Sequence, residues 1–422
     1  MQPSEIERPR ARDRLSLSAG LVRLLPRSQR RALPSALVLF LSLFAAQAPV
    51  FVLAPMLPHV AEDFSIPVSV AGQLRAISGL VAAITAVKFG FIARGAPLRQ
   101  MIASGLFLIP LGSLAAALAP AFWVLVAAQV AVGLGLGTVV TGGTAATADW
   151  VPAAGHSRLL SWTLMGPPAA AIVATLAAGV LADLDWRLAW LAPLGASIIA
   201  VAAVRTRPAG HTLVRPRVSI SAMWRVPRIA GWALGEVLAY SSWSGVTVYA
   251  GALLIQSYKS SPGLAALAIC GSAVAVVGGN LVARRWVARS SRALLLVCAI
   301  ALSGTAGLFG VFRPAFWVSA LVLVVAGFLA GGRALAGTAF GLQAAPDLRL
   351  AVMGVRTTAQ QLSYLLGAGL GGAALGVGGY GGMGALLRYC SSWPPRRTHS
   401  PSARRSVLPV PITPLEPDCA ID

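Results

Sequence analysis

The sequence predicts an all-α integral membrane protein made of two six-helix halves, with the twelfth helix cut short. Three observations carry this expectation. From residue 34 to 387 the 422-residue chain is a near-continuous series of apolar segments, each of roughly the 20 residues a helix needs to cross a hydrocarbon core about 30 Å thick. Arginines recur in every second connecting loop, the bias that marks cytoplasmic loops. A basic connector with six arginines and three prolines, residues 205–228, divides the apolar series at its middle.

The elements follow in order. The first span, 37–57, has eight arginines upstream (Arg8 through Arg31) and none in residues 58–69, where His59, Glu62 and Asp63 stand instead. That asymmetry places the N-terminus in the cytoplasm. Residues 1–33 then form a basic cytoplasmic segment. The N-terminal half, 34–204, continues with spans at 70–93, 98–118, 122–148, 159–181 and 189–204. The C-terminal half, 229–387, holds spans at 229–255, 263–282, 293–312, 316–343 and 352–376, and residues 377–387 start a twelfth. Predicted inner loops contain Arg94 and Arg99, Arg158, the connector, Arg284, Arg285, Arg289 and Arg292, then Arg349 and Arg356; predicted outer loops contain only Arg187, Lys259 and Arg313. One misplaced span would invert every later loop, so the sustained alternation supports the whole order. Gly90-Phe91-Ile92-Ala93-Arg94 ends the second span and Gly279 to Arg284 ends the eighth, a faint echo of one half in the other.

Composition sets the class. The chain is 57% hydrophobic and 11% charged with a mean hydropathy of +0.75, against about 25% charged residues in soluble proteins. The formal charge of +21 does not point to nucleic acid, because most arginines fall in predicted cytoplasmic loops where they meet anionic lipid headgroups. Cys270, Cys298, Cys390 and Cys419 form no CxxC pair, and the four histidines are scattered, so no disulfide framework, metal site or cofactor is expected. The N-terminal region lacks a signal-peptide cleavage pattern. An inner (plasma) membrane location follows.

Four stretches now bring a family into view. They are APMLPHVAEDFSIPVSVAGQL (54–74), SWTLMGPPAAAIVATLAAGVLAD (161–183), DWRLAWLAPLGA (185–196) and TTAQQLSYLLGAGLGGAALG (357–376). In them the chain resembles a major facilitator superfamily transporter of the type related to drug and metabolite:proton antiporters. The resemblance implies export of a small-molecule substrate, protons as the coupling ion, and a monomer in the bilayer. Gly166-Pro167 matches the fifth-helix exporter motif, followed by Pro168. The prolines remove backbone donors and bend the helix, and Gly166 with Ala169 to Ala171 lets a neighbour approach closely; a bend without directional meaning remains open. Two family motifs depart from pattern. In the loop after Gly90 the acidic position is Arg94, which leaves Arg99 as its basic residue. In the fourth helix Gln129 stands where the family commonly has an arginine, ahead of Gly133, Gly135 and Gly137. Asp149 matches the family's acidic position, either latching an inner gate to Arg94 or Arg99 or capping its helix.

Ionisable groups at membrane depth are costly, so each is a functional candidate. Glu236 lies in the seventh span, Arg333 in the tenth, and Arg75 in the second near its outer end, where a long side chain can snorkel. The resemblance places helices 1, 4, 7 and 10 around the cavity. There Glu236 either exchanges a proton or cationic substrate or forms a static pair with Arg333. Tyr240 on the seventh span and Gln360, Gln361 and Tyr364 on the eleventh are further cavity candidates. Residues 388–422 are rich in Pro, Arg and Ser and have no spanning segment, the composition of a disordered tail; a lost coding frame near Leu387 would produce such a tail. The expected function is therefore secondary transport, with an impaired transporter as the alternative. A membrane-embedded enzyme is disfavoured, because no nucleophile or acid–base cluster has recognisable spacing.

Overall fold

The computed structural model describes residues 27–89, 97–150, 165–182, 184–206, 227–344 and 349–392, and all their regular structure is helical. The first half holds α1 (Arg27–Asp63), α2 (Val68–Val87), α3 (Leu98–Ala117), α4 (Phe122–Trp150), α5 (Gly166–Ala182) and α6 (Leu191–Arg205). The second holds α7 (Pro227–Tyr258), α8 (Pro262–Val287), α9 (Arg289–Val311), α10 (Phe316–Ala344), α11 (349–377) and α12 (380–392). Ten helices among the described residues are long and apolar enough to cross a membrane.

Local chemistry sets the helix ends. Ser261 accepts a hydrogen bond from the Leu264 amide and Pro262 fills the first turn of α8, where a missing N–H costs nothing. Ser290 leaves the helical region (φ −161°, ψ 100°), and its hydroxyl accepts from the Ala293 amide. This separates α8 from α9 with no intervening loop. Gly379 has φ +58° and ψ −162°, a backbone state that only glycine adopts freely, and it separates α11 from α12. The sequence expectation is corrected here in two respects. The twelfth helix begins after Gly379 rather than at Val377, and it runs to Ser392, past the composition change at Leu387. Its polar end is held because Ser303 donates to the Arg388 carbonyl and Leu387 packs over Gly245. Residues 380–392 still make a helix of only about 20 Å, short of the 30 Å core.

Lipid offers helices no hydrophobic reason to associate, so they pack through small residues that let backbones meet. A Cβ on Gly133 would lie 2.7 Å from the Ser78 carbonyl, and one on Gly137 2.5 Å from that of Ala82, which seats α4 on α2. On α10, Gly327 and Gly331 abut the Ser272 and Val276 carbonyls of α8. Large apolar side chains such as Phe107, Trp123, Ile199, Ile300 and Trp317 point outward instead, the pattern of a lipid-facing belt.

The halves meet along α1–α7, α2–α11 and α5–α8. Gly251 abuts Ala54, Gly72 abuts Tyr249, and Gly179 abuts Ala266. These approaches lie toward the face that carries the α1–α2 turn, the predicted outer face. Nearer the middle, a Cβ on Gly79 would stand 3.1 Å from the Gln361 carbonyl. Gly331→Ala is expected to lower the thermal midpoint of the detergent-purified protein, an overpacking cost of about 1–3 kcal/mol. Gly231→Ala, exposed and with nothing within 4 Å of the added methyl, is expected to leave the midpoint unchanged or raise it. Equal effects of the two would contradict this packing.

Candidate functional site

Two clusters of polar groups lie buried between the helices. The first is built on α7, where Trp232, Glu236 and Tyr240 follow at intervals of four and share one face. Trp232 Nε1 donates to the Gly337 carbonyl (2.9 Å), clamping α7 to α10. Glu236 then sits over Gly337, where any Cβ would collide with its Oε1. One turn earlier on α10, Arg333 Nη2 donates to Glu236 Oε1 (3.1 Å) and to the Gly235 carbonyl (3.0 Å). Arg356 of α11 donates from Nη2 to the Tyr240 hydroxyl (2.9 Å) and the Ala334 carbonyl (3.1 Å), and its Nε lies 4.0 Å from Glu236 Oε2. The Tyr240 ring has the Arg333 guanidinium at 5.3 Å and that of Arg356 at 5.9 Å. Exposure of the side chains is 1% for Glu236, 5% for Arg333 and 14% for Arg356.

The second cluster bridges the halves. Arg75 of α2 is fully buried, with its guanidinium 3.7 Å from the ring centroid of Tyr364 on α11. Its Nη1 donates to Ser78 Oγ (3.0 Å). Arg75 and Tyr364 border a cavity of about 20 Å³ with Val50, Phe51, Leu53, Ala54, Thr247 and Val248, room for about one water. One turn toward the face that carries the α1–α2 turn, Gln73 Nε2 donates to the Gly369 carbonyl (3.4 Å), and Tyr249 donates to that of Ala368 (2.8 Å) while its ring abuts Gly72.

The structure thus brings Glu236, Arg333 and Tyr240 together, and separately Arg75 and Tyr364. Gln129 is buried on α4 with its amide nitrogen unpaired. The register that sets Gly133 on Ser78 and Gly137 on Ala82 puts it level with Arg75. Gln361 is buried at the α2–α11 contact with its Oε1 unpaired, and Gln360 beside it is half-buried. Gly166 abuts the Phe40 carbonyl of α1, within its own half, while the inter-half contact of α5 is made by Gly179. The described part of α5 begins at Gly166, so the bend expected at Pro167 and Pro168 lies at its edge. Arg99 is on the first turn of α3 and Asp149 on the last turn of α4. Gly90, Arg94 and the Asp149 side chain lie outside what is described, and the inner latch with them.

Arg356 is the residue that sequence reasoning misplaced. Counted among loop arginines, it stands instead two turns inside α11. Its signal was a stripe, Arg356, Gln360 and Tyr364, spaced by four. The serines that fasten α7 to α11 were also missed: Ser244 donates to the Ser363 carbonyl (2.7 Å), and Ser363 to that of Val237 (2.9 Å).

Ten helices of membrane-crossing length in two packed bundles, with charged groups buried between them, have the layout of a membrane transporter. The chain belongs to the Major Facilitator Superfamily, whose family model matches residues 39–368. Among solved structures it is similar to a D-xylose-proton symporter (14% identity, TM-score 0.68), covering 86% of this chain and 97% of that one. It is also similar to the nucleoside transporter NupG in a mutant form (12%, 0.70; 84% and 96%) and to the peptide transporter POT in complex with sulfate (11%, 0.68; 87% and 97%). At these identities the likeness is one of fold. No curated protein matches the sequence.

Removing one member of a buried ion pair strands the other, at a cost of about 3–5 kcal/mol. Glu236→Gln is therefore expected to lower the thermal midpoint of the purified protein, and adding Arg333→Gln to recover part of that loss. A double variant no more stable than Glu236→Gln would show that the pair is not energetically coupled.

Proposed function

We propose that this chain is an inner-membrane exporter of a small organic solute, coupled to protons by antiport, with Glu236 as the coupling carboxylate. The observation that carries the reading is the placement of Glu236. It is the one carboxylate buried at membrane depth among the described residues, and it is held by arginines from two other helices. A proton arriving at Glu236 removes the charge that Arg333 and Arg356 share. The tie between α7, α10 and α11 then loosens within the C-terminal half, and the shift of these helices changes the surface that half presents to the N-terminal half as the two rock about a midplane site, as in the family's alternating-access cycle. Departure of the proton restores the tie. Antiport requires that solute and proton occupy this cluster in turn rather than together. The Gly166-Pro167 motif on α5 supports the export direction, and the excess of arginine in the predicted inner loops supports a cytoplasmic N-terminus. The partners in this reading are the solute, protons and lipid, with the chain acting as a monomer.

The short α12 and the glutamine at position 129 favour a second reading, a transporter of reduced activity. Both readings are tested in inverted vesicles by screening drugs, nucleosides and sugars for substrate-induced collapse of a pH gradient. The chain as it stands is compared with a version given a full apolar twelfth helix after Leu387. A signal in both, abolished by Glu236→Gln, is the expected outcome. A signal only in the lengthened version establishes the second reading, and silence from both at normal expression rejects proton coupling.

A further inference from the structure

Among the described residues, the charged side chains buried at membrane depth are Arg75, Glu236, Arg333 and, for the most part, Arg356. Three are cations and one is a carboxylate. Glu236 answers one positive charge, so two remain without a counter-charge in a region where an unpaired cation is costly. A protein does not keep such charges for stability, since apolar replacements at buried charged sites are often neutral or stabilising. The excess is better explained by something negative that the site receives.

Arg75 shows where. Its Nη1 is taken by Ser78, while Nε and Nη2 are buried with no carboxylate or carbonyl accepting from them and only the Tyr364 side chain beside them. These two nitrogens form one edge of the guanidinium, the two-pronged side that accepts a carboxylate through two parallel hydrogen bonds. The Tyr364 ring fixes the plane of the guanidinium from one face. The cavity it borders is otherwise apolar except for Thr247, with Phe51, Leu53 and Val248 among its walls. Gln129, level with Arg75, has a second buried nitrogen without an acceptor. From Tyr364 to Arg356 is two turns of α11, about 12 Å, which sets the Arg75 fork and the Glu236 cluster at two depths along one helix.

We propose that the solute is a small organic carboxylate whose carboxylate takes the Nε–Nη2 edge of Arg75 while its apolar part lies against Tyr364, Phe51 and Val248. The cavity of about 20 Å³ admits only a water-sized group, so the anion enters as the halves part, and its charge travels with the arginines. The inference rests on the transport reading above for the word solute, but its test does not use transport.

The full chain, purified in detergent, is titrated with benzoate, benzamide, benzylamine and phenyl phosphate, and with succinate and succinamide, while its thermal midpoint is followed. Carboxylates are expected to raise the midpoint and their amides and the amine are not. Arg75→Gln is expected to weaken the apparent affinity about tenfold to a hundredfold, and Arg75→Lys, which keeps the charge but loses the fork, about tenfold. Arg75→Met without ligand is expected to melt no lower than the parent; a marked drop would make Arg75 a structural tie and overturn the proposal. Failure of every carboxylate to outperform its amide, an equal response to phenyl phosphate, or an undiminished response in Arg75→Gln would each overturn it as well. Tyr364→Leu, which removes the ring beside the guanidinium and keeps the charge, is expected to weaken benzoate more than succinate. Carboxylate binding in vesicles that stay silent with the same carboxylates added to the panel rejects the exporter reading alone, and active vesicles without carboxylate selectivity reject this inference alone.

Discussion

The rest of this structure depends on a constraint that lipid imposes on apolar helices. Hydrocarbon dissolves a leucine as readily as a protein core does, so contact between helices has to come from shape and from hydrogen bonds. The chain meets this with glycine. Where α4 lies on α2 and α10 on α8, the residue at the contact lacks a side chain and faces a carbonyl of the neighbour. Dispersion between closely apposed backbones then supplies what the hydrophobic effect cannot. The same economy of space creates the site. Glu236 fits beside α10 because position 337 is glycine, and Tyr249 reaches the Ala368 carbonyl because position 72 is glycine.

Burying polar groups in such a bundle has consequences that differ by location. Within the second half, Glu236, Arg333 and Arg356 tie three helices into one body. Between the halves, the ties among the described residues are backbone approaches, one weak glutamine bond, a Cys270 thiol donating to the Ile172 carbonyl and a cation over a ring. The strong electrostatic links therefore hold a half together, and the weaker ones hold the halves to each other. A molecule built this way breaks along the seam between its bundles before it breaks inside one of them, which is the mechanical requirement of alternating access.

The fold was legible because its signals repeat. Twenty-residue apolar runs and alternating arginines agree with each other many times, and the six-plus-six order follows from their sum. Glu236 and Arg333 were legible for a related reason, since a charge in an apolar run is conspicuous. Arg356 was not, because it stands near a helix end where arginines usually mark topology, and only its four-residue spacing to Gln360 and Tyr364 separates it from Arg349. The depth of Arg75 was hidden too. A long side chain near a helix end can reach water or turn inward, and the choice is made by Ser78 and Tyr364, the latter nearly 300 residues away in the chain. The end of α12 escaped composition because the helix is held by Ser303 of α9 and Gly245 of α7, contacts that no local window contains.

The shortness of α12 bears on the membrane as much as on the protein. Descending beside α9 from the face that carries the α1–α2 turn, it places Arg388 alongside Ser303 and Gly307, well inside the thickness that α9 spans. Its described length of about 20 Å covers about two thirds of a 30 Å core, so this flank of the second half matches a thin bilayer more closely than a thick one.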